Sequence, residues 1–111
     1  DQLPVSPLKP AKMAELAPLS GVRVATGNSA TRYSGRDDVT LMVFPKGTAV
    51  AGVFTKSKCP SAPVDWCRDA LKGGTARALL VNAGNANAFT GIKGLDACRV
   101  TAQAVAEALG C

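Results

Sequence analysis

Asn82, Asn85 and Asn87 stand in the run Asn82-Ala83-Gly84-Asn85-Ala86-Asn87-Ala88, directly after the apolar stretch Ala76 to Val81. A carboxamide donates and accepts hydrogen bonds at once, so three of them separated by small residues suit the holding of a polar ligand. Ligands of open α/β sheets tend to sit where a strand gives way to a loop. Asn85 and Asn87, with Gly84 to bring the backbone close, are the ligand-pocket candidates. Asn82, nearer the strand, is a further candidate and is also suited to satisfying local backbone groups. The same composition fits a plain Asn/Gly turn, which needs no ligand.

Other chemistry is excluded by what the chain lacks. There is no His among the 111 residues, so a Ser-His-Asp or Cys-His arrangement cannot be assembled from this chain alone. Cys59, Cys67, Cys98 and Cys111 form no Cys-x-x-Cys hook, and without an export signal they are expected as free thiols, with no metal site. Gly84 lacks the further glycines of a dinucleotide fingerprint. The formal charge of +5 comes from 13 Lys and Arg spread along the chain. They form no basic block and do not alternate with aromatics, so nucleic acid is not an expected partner. The charge instead favours encounter with anionic metabolites. No apolar run approaches the roughly 20 residues of a membrane span. Asp1 to Pro7 has no basic-then-apolar leader pattern, and a cytoplasmic location is expected.

The elements that must position these residues follow from the apolar pattern. Pro4, Pro7, Pro10 and Pro18 deny backbone donors, giving an N-terminal arm over residues 1–20. An α/β part over residues 21–111 follows it. Gly21 to Thr26 alternates weakly. Val39 to Phe44 and Ala49 to Phe54 are stronger strand candidates, and Pro45-Lys46-Gly47-Thr48 between them suits an antiparallel hairpin. Pro63 and Gly73-Gly74 bracket a short helix, Val64 to Leu71, in which Trp66 is expected to pack. Ala76 to Val81 reads as an interior strand. Gly94 to Leu109 carries Leu95, Cys98, Ala102, Val105 and Leu109 at helical spacing, with Gly110 at the C′ position. Aromatic residues are only 5%, so the core rests on Val, Leu and Ala and gains from covering by further chain. A fragment or a processed piece is expected.

Three segments in fixed order, Val50-Ala51-Gly52-Val53-Phe54-Thr55, Ser61-Ala62-Pro63-Val64 and Ala78 to Ala88, resemble the bifunctional ornithine acetyltransferase / glutamate N-acetyltransferase family of arginine biosynthesis. Gly21-Val22-Arg23, Tyr33-Ser34-Gly35-Arg36-Asp37-Asp38 and the Ala-rich helix ending at Leu109-Gly110 extend the resemblance over nearly the whole chain. The resemblance implies an α/β (α+β) fold, a mixed sheet with packed helices, and a precursor that cuts itself into α and β chains. The Thr at the new β N-terminus would then carry the acetyl group from N-acetylornithine to glutamate, in an (αβ)2 assembly. It implies no cofactor, with acetyl-CoA open as a co-substrate. The oxyanion Thr-Gly and the nucleophilic Thr of the family fall beyond Cys111, so no catalytic residue is carried onto this chain. Thr90-Gly91 precedes the last helix and does not take the oxyanion role. Two other readings stay open. One is a non-catalytic basic α/β module binding an anionic small molecule through the Asn loop and the helix N-terminus near Gly94. The other is a scaffold layer that touches no substrate.

Overall fold

Two β-strands, an α-helix, a third strand and a second helix follow one another along the chain in the computed structural model, which describes residues 5–111. Residues 5–22 contain neither helix nor strand, and the start of the Pro-rich arm, residues 1–4, lies outside the described residues. Gly21, at φ +81, turns the chain into β1 (Arg23–Gly27). A Cβ there would stand 2.8 Å from Cγ of Pro45, so the turn is built on close contact as well as on a left-handed conformation.

β2 (Val39–Val43) is rich in β-branched residues and lies in the middle of the sheet, antiparallel to β1 on one side and to β3 (Ala78–Asn82) on the other. The pairing sets Ala25, Leu41 and Leu80 abreast on one face. Val24, Met42 and Leu79 lie abreast on the other, followed by Thr26, Thr40 and Val81. Of the mixed sheet expected, only antiparallel pairs occur among the described residues. The α+β class holds.

Two strand expectations are corrected. Ala49 to Phe54 forms no strand and no hairpin with β2; it makes one isolated bridge, Ala49 to Thr75, flanked by Val50 N donating to Gly74 O at 3.0 Å and Ala76 N to Thr48 O at 3.1 Å. The reason is competition, because both edges of β2 are already occupied by β1 and β3. Phe44 N, which would have continued a hairpin, donates to Arg77 O at 2.8 Å. β3 in turn is an edge strand instead of an interior one, and Leu79 and Val81 are exposed on its open face.

Helix α1 (Ala62–Ala70) starts two residues after Pro60, with Pro63 in its first turn, where the missing N–H costs nothing. A short 3-10 turn, Leu71–Gly73, and Gly74 at φ +70 close it. Helix α2 (Gly91–Leu109) ends in the expected way: Gly110 is left-handed, Gly110 N donates to Glu107 O at 3.2 Å and Cys111 N to Ala106 O at 2.9 Å. Its covered stripe runs through Gly94, Cys98, Ala102, Val105, Ala106 and Leu109. Leu95, placed on that stripe by its spacing, is exposed, and Gly94 takes the buried place because α1 crosses close by. A Cβ on Gly94 would stand 3.3 Å from Cβ of Ala62, the one buried hydrophobic side chain among the described residues. Trp66, expected to pack, is 37% exposed on the flank of α1.

Candidate functional site

The strand register brings Gly27, Val39 and Asn82 to the same end of the sheet, so the loops over residues 28–38 and 83–90 leave the fold side by side. Asp38 joins them. Its backbone N–H donates to Gly27 O at 2.9 Å and its carbonyl accepts from Ala83 N at 2.8 Å, which carries the β ladder one step into both loops. The residue is only 5% exposed, and its carboxylate accepts from Ser29 N at 2.6 Å and from Ser29 Oγ at 2.7 Å. These bonds to Ser29, the backbone one foremost, hold the Asp38 carboxyl below its usual range, with a smaller contribution from the charge of Arg36.

The rest of the first loop is tied in the same manner. The Asn28 carboxamide donates to the carbonyls of Tyr33 and Arg36 and accepts from Ala30 N at 2.7 Å. Asp37 accepts from the Thr26 hydroxyl. The Arg36 guanidinium lies 3.8 Å over the centre of the Tyr33 ring, a cation–π contact. Both acidic side chains of the loop are thus engaged by donors of the loop or of β1.

In the Asn loop the three carboxamides have separate tasks. Asn82 Nδ2 donates to Asn85 O at 2.9 Å, the local backbone role foreseen for it. Asn85 Oδ1 accepts from Asn87 N at 3.3 Å, which leaves the amino half of an exposed carboxamide facing solvent. Asn87 is half-buried at φ +46, a conformation Asn tolerates better than most residues. Its carbonyl accepts from Ala62 N at 3.2 Å and from Thr90 Oγ1 at 3.1 Å, so it fastens the starts of α1 and α2 together. Burial, and after it the nearby Cys67, pushes the Cys98 thiol upward in pKa. Thr90 is the residue before α2, and its hydroxyl is spent on Asn87. The helix begins at Gly91, one turn before the expected Gly94.

Gly84 is the point of contact between the two loops. It sits at φ +92, and a Cβ on it would stand 2.8 Å from Cε2 of Tyr33 and 3.1 Å from both Cβ and Cδ of Arg32. The sequence analysis did not single out Arg32 or Asp38 as parts of this cluster; the signal available was the polar string Ser34 to Asp38 directly ahead of β2. The four cysteines are free thiols, with Cys67 and Cys98 half-buried between the helices and Cys59 and Cys111 exposed. Among the described residues no group of His, Cys, Asp and Glu is arranged to hold a metal ion, and no helix is long and apolar enough to cross a membrane.

Comparison with known proteins extends these observations. Residues 23–111 match the model of the ArgJ family. The chain is 60% identical over 107 residues to the arginine biosynthesis bifunctional protein ArgJ of Bradyrhizobium diazoefficiens and 59% identical to that of Rhizobium meliloti, covering 96% of this chain in each case. It spans about a quarter of the length of these relatives, 26% of each. Among solved structures it is similar to ornithine acetyltransferase from Mycobacterium tuberculosis, in complex with ornithine, with a TM-score of 0.78 and 39% identity over 82% of this chain and 48% of that one.

Proposed function

The chain belongs to the ArgJ family, and from that premise we propose that it is the N-terminal part of the α chain of an acetyltransferase that moves an acetyl group from N-acetylornithine to glutamate. The observation that carries this reading is the joint likeness in sequence and fold to an ornithine acetyltransferase. The nucleophile is the N-terminal Thr of the β chain cut from the same precursor. Its hydroxyl oxygen attacks the acetyl carbon, and its proton passes to the Thr α-amine. The C–N bond breaks, the proton leaves with ornithine, and the acetyl group remains as an ester. The glutamate amine then attacks that ester, gives up a proton and restores the Thr hydroxyl. This cycle needs no cofactor, and acetyl-CoA is an alternative donor to the same Thr. The protein works in the cytoplasm as an (αβ)2 heterotetramer.

The Asn loop borders the acyl-transfer pocket, with Gly84 setting its approach and Asn85 offering its unengaged amino group to substrate. Asn82 and Asn87 hold the loop in shape. In the full processed enzyme, Asn85→Ala is expected to lower turnover by about 3- to 10-fold, the worth of one neutral hydrogen bond, while self-cleavage and thermal midpoint stay as in the parent. Unchanged turnover in the processed variant would make the loop a turn and nothing more. Parallel double-reciprocal plots for the two substrates test the acyl-enzyme itself.

A further inference from the structure

A recess of about 380 Å³, lined by Lys46, Gly47, Thr75, Ala76 and Arg77, lies at the opposite end of the sheet from the Asn loop. Its shape follows from an unequal pairing. Phe44 N donates to Arg77 O at 2.8 Å and Ala76 N to Thr48 O at 3.1 Å, so two successive residues on one side face residues four apart on the other. Residues 45–47 must therefore arch outward. Thr48 closes the arch, its N–H and its hydroxyl both donating to Pro45 O, at 3.2 and 2.7 Å, and Gly47 turns it at φ +87. Within this pinned frame donors are in excess. Among the described residues the ion pairs are Arg68 with Asp65, Lys72 with Asp69 and Arg99 with Asp96, which leaves both cations of the recess unpaired. No carboxylate lines it. Half-buried Arg77 spends only Nε, on Phe44 O at 3.4 Å, and keeps both terminal nitrogens of its guanidinium. The Thr75 hydroxyl and the N–H groups of Lys46 and Gly47 have no acceptor among the described residues.

We propose that this recess binds the phosphate group of a small phosphate monoester. Such a group carries a charge of about −1.5 to −2 at pH 7 and three strong acceptor oxygens. Two cations match that charge, where a carboxylate would call for one. The Arg77 guanidinium offers a planar fork to two of the oxygens, and Lys46 brings a point charge on a flexible stem to the third. The Thr75 hydroxyl and the amides of the arch add neutral donors around the same group. The volume is more than one phosphate fills and lies within the range of about 300 to 1,000 Å³ typical of small-molecule pockets, so an organic remainder has room beside Ala76. Lys46 is exposed, so salt weakens the attraction.

The test uses the full protein at low ionic strength, with line broadening in phosphorus NMR as the readout for glycerol 3-phosphate and inorganic phosphate, and acetate as a competitor. Glycerol 3-phosphate is expected to bind with a Kd of about 1 mM or below, at least as tightly as inorganic phosphate, and acetate to compete about 10-fold less well. Arg77→Gln and Lys46→Gln are each expected to weaken glycerol 3-phosphate by about 10- to 100-fold, the loss of a charged hydrogen-bonded partner. Lys93→Gln removes an equal charge from α2 and is expected to leave binding unchanged. Should Arg77→Gln fail to fold for want of its bond to Phe44, Lys46→Gln, on the exposed arch, decides alone. No broadening with the parent protein overturns the assignment, as does undiminished binding by Lys46→Gln or an equal loss in Lys93→Gln. Acetate that competes as well as inorganic phosphate overturns the choice of phosphate. Inorganic phosphate held more tightly than glycerol 3-phosphate makes this a site for the free ion and overturns the monoester.

Discussion

Asp38 joins two loops that are far apart in sequence through its backbone carbonyl, and its carboxylate holds the first of them as an anion. Because its bonds to Ser29 favour the ionised form, its carboxyl titrates lower in the folded protein than in the unfolded chain. Its contribution to stability is therefore complete above the usual aspartate value of 3.8 and is lost as pH falls below that through the lowered folded value. Denaturant midpoints of the full protein and of Asp38→Asn should differ most near neutral pH and converge as the pH drops below 3.8. A gap that stays constant down to pH about 3 would show that the charge contributes nothing. At this scale the sequence was legible only in part. Three amides in a small-residue string marked the loop from its own composition. Nothing in the composition indicated that Ser29 would reach Asp38, or that Arg32 would lie under Gly84, since both depend on how a loop folds back across the sheet end.

Among the elements, the helices were more legible than the strands. Pro63, Gly74 and Gly110 mark termini by backbone chemistry that acts locally, and the structure ends α1 and α2 where these residues allow. Val39 to Phe44 and Ala49 to Phe54 look equally suited to strands, but strand pairing is settled by which neighbour takes each edge, and β3 comes from a segment beyond α1. The link between sheet and loops is testable at Gly84. Gly84→Ala must accept a left-handed backbone and move the Tyr33 ring or the Arg32 stem, and it is expected to cost about 1 to 3 kcal/mol in chemical denaturation of the full protein. A cost near zero would mean that the two loops part without consequence.

For the molecule as a whole, surface is the governing quantity. The chain exposes 8942 Å², against about 5700 Å² for a compact monomer of its mass. Its radius of gyration is 15.6 Å, against about 13 Å for a domain of this length. Val24, Leu79 and Val81 on the open sheet face, and Phe89 and Ile92 at the start of α2, account for part of the excess. A sheet covered on one face only, with little buried beyond Ala62 and Asp38, has too small a core to fold sharply alone. The isolated chain of 111 residues is expected to bind a hydrophobic dye and to melt without a sharp calorimetric transition. A cooperative two-state melt would contradict this.

The order of the strands also governs how the sheet is made on the ribosome. β2 gains its partner β1 as soon as the loop between them closes, but its other edge waits for residues 44–77 to be synthesised before β3 exists. At about 5 to 20 residues per second that interval is roughly 2 to 7 s. During it the backbone donors and acceptors of Thr40 and Met42 on that side are open to any strand nearby, including that of a neighbouring nascent chain. The hazard is therefore timed by the length of the α1-bearing insert, and codon choice over that insert, which alters no residue, can lengthen or shorten it.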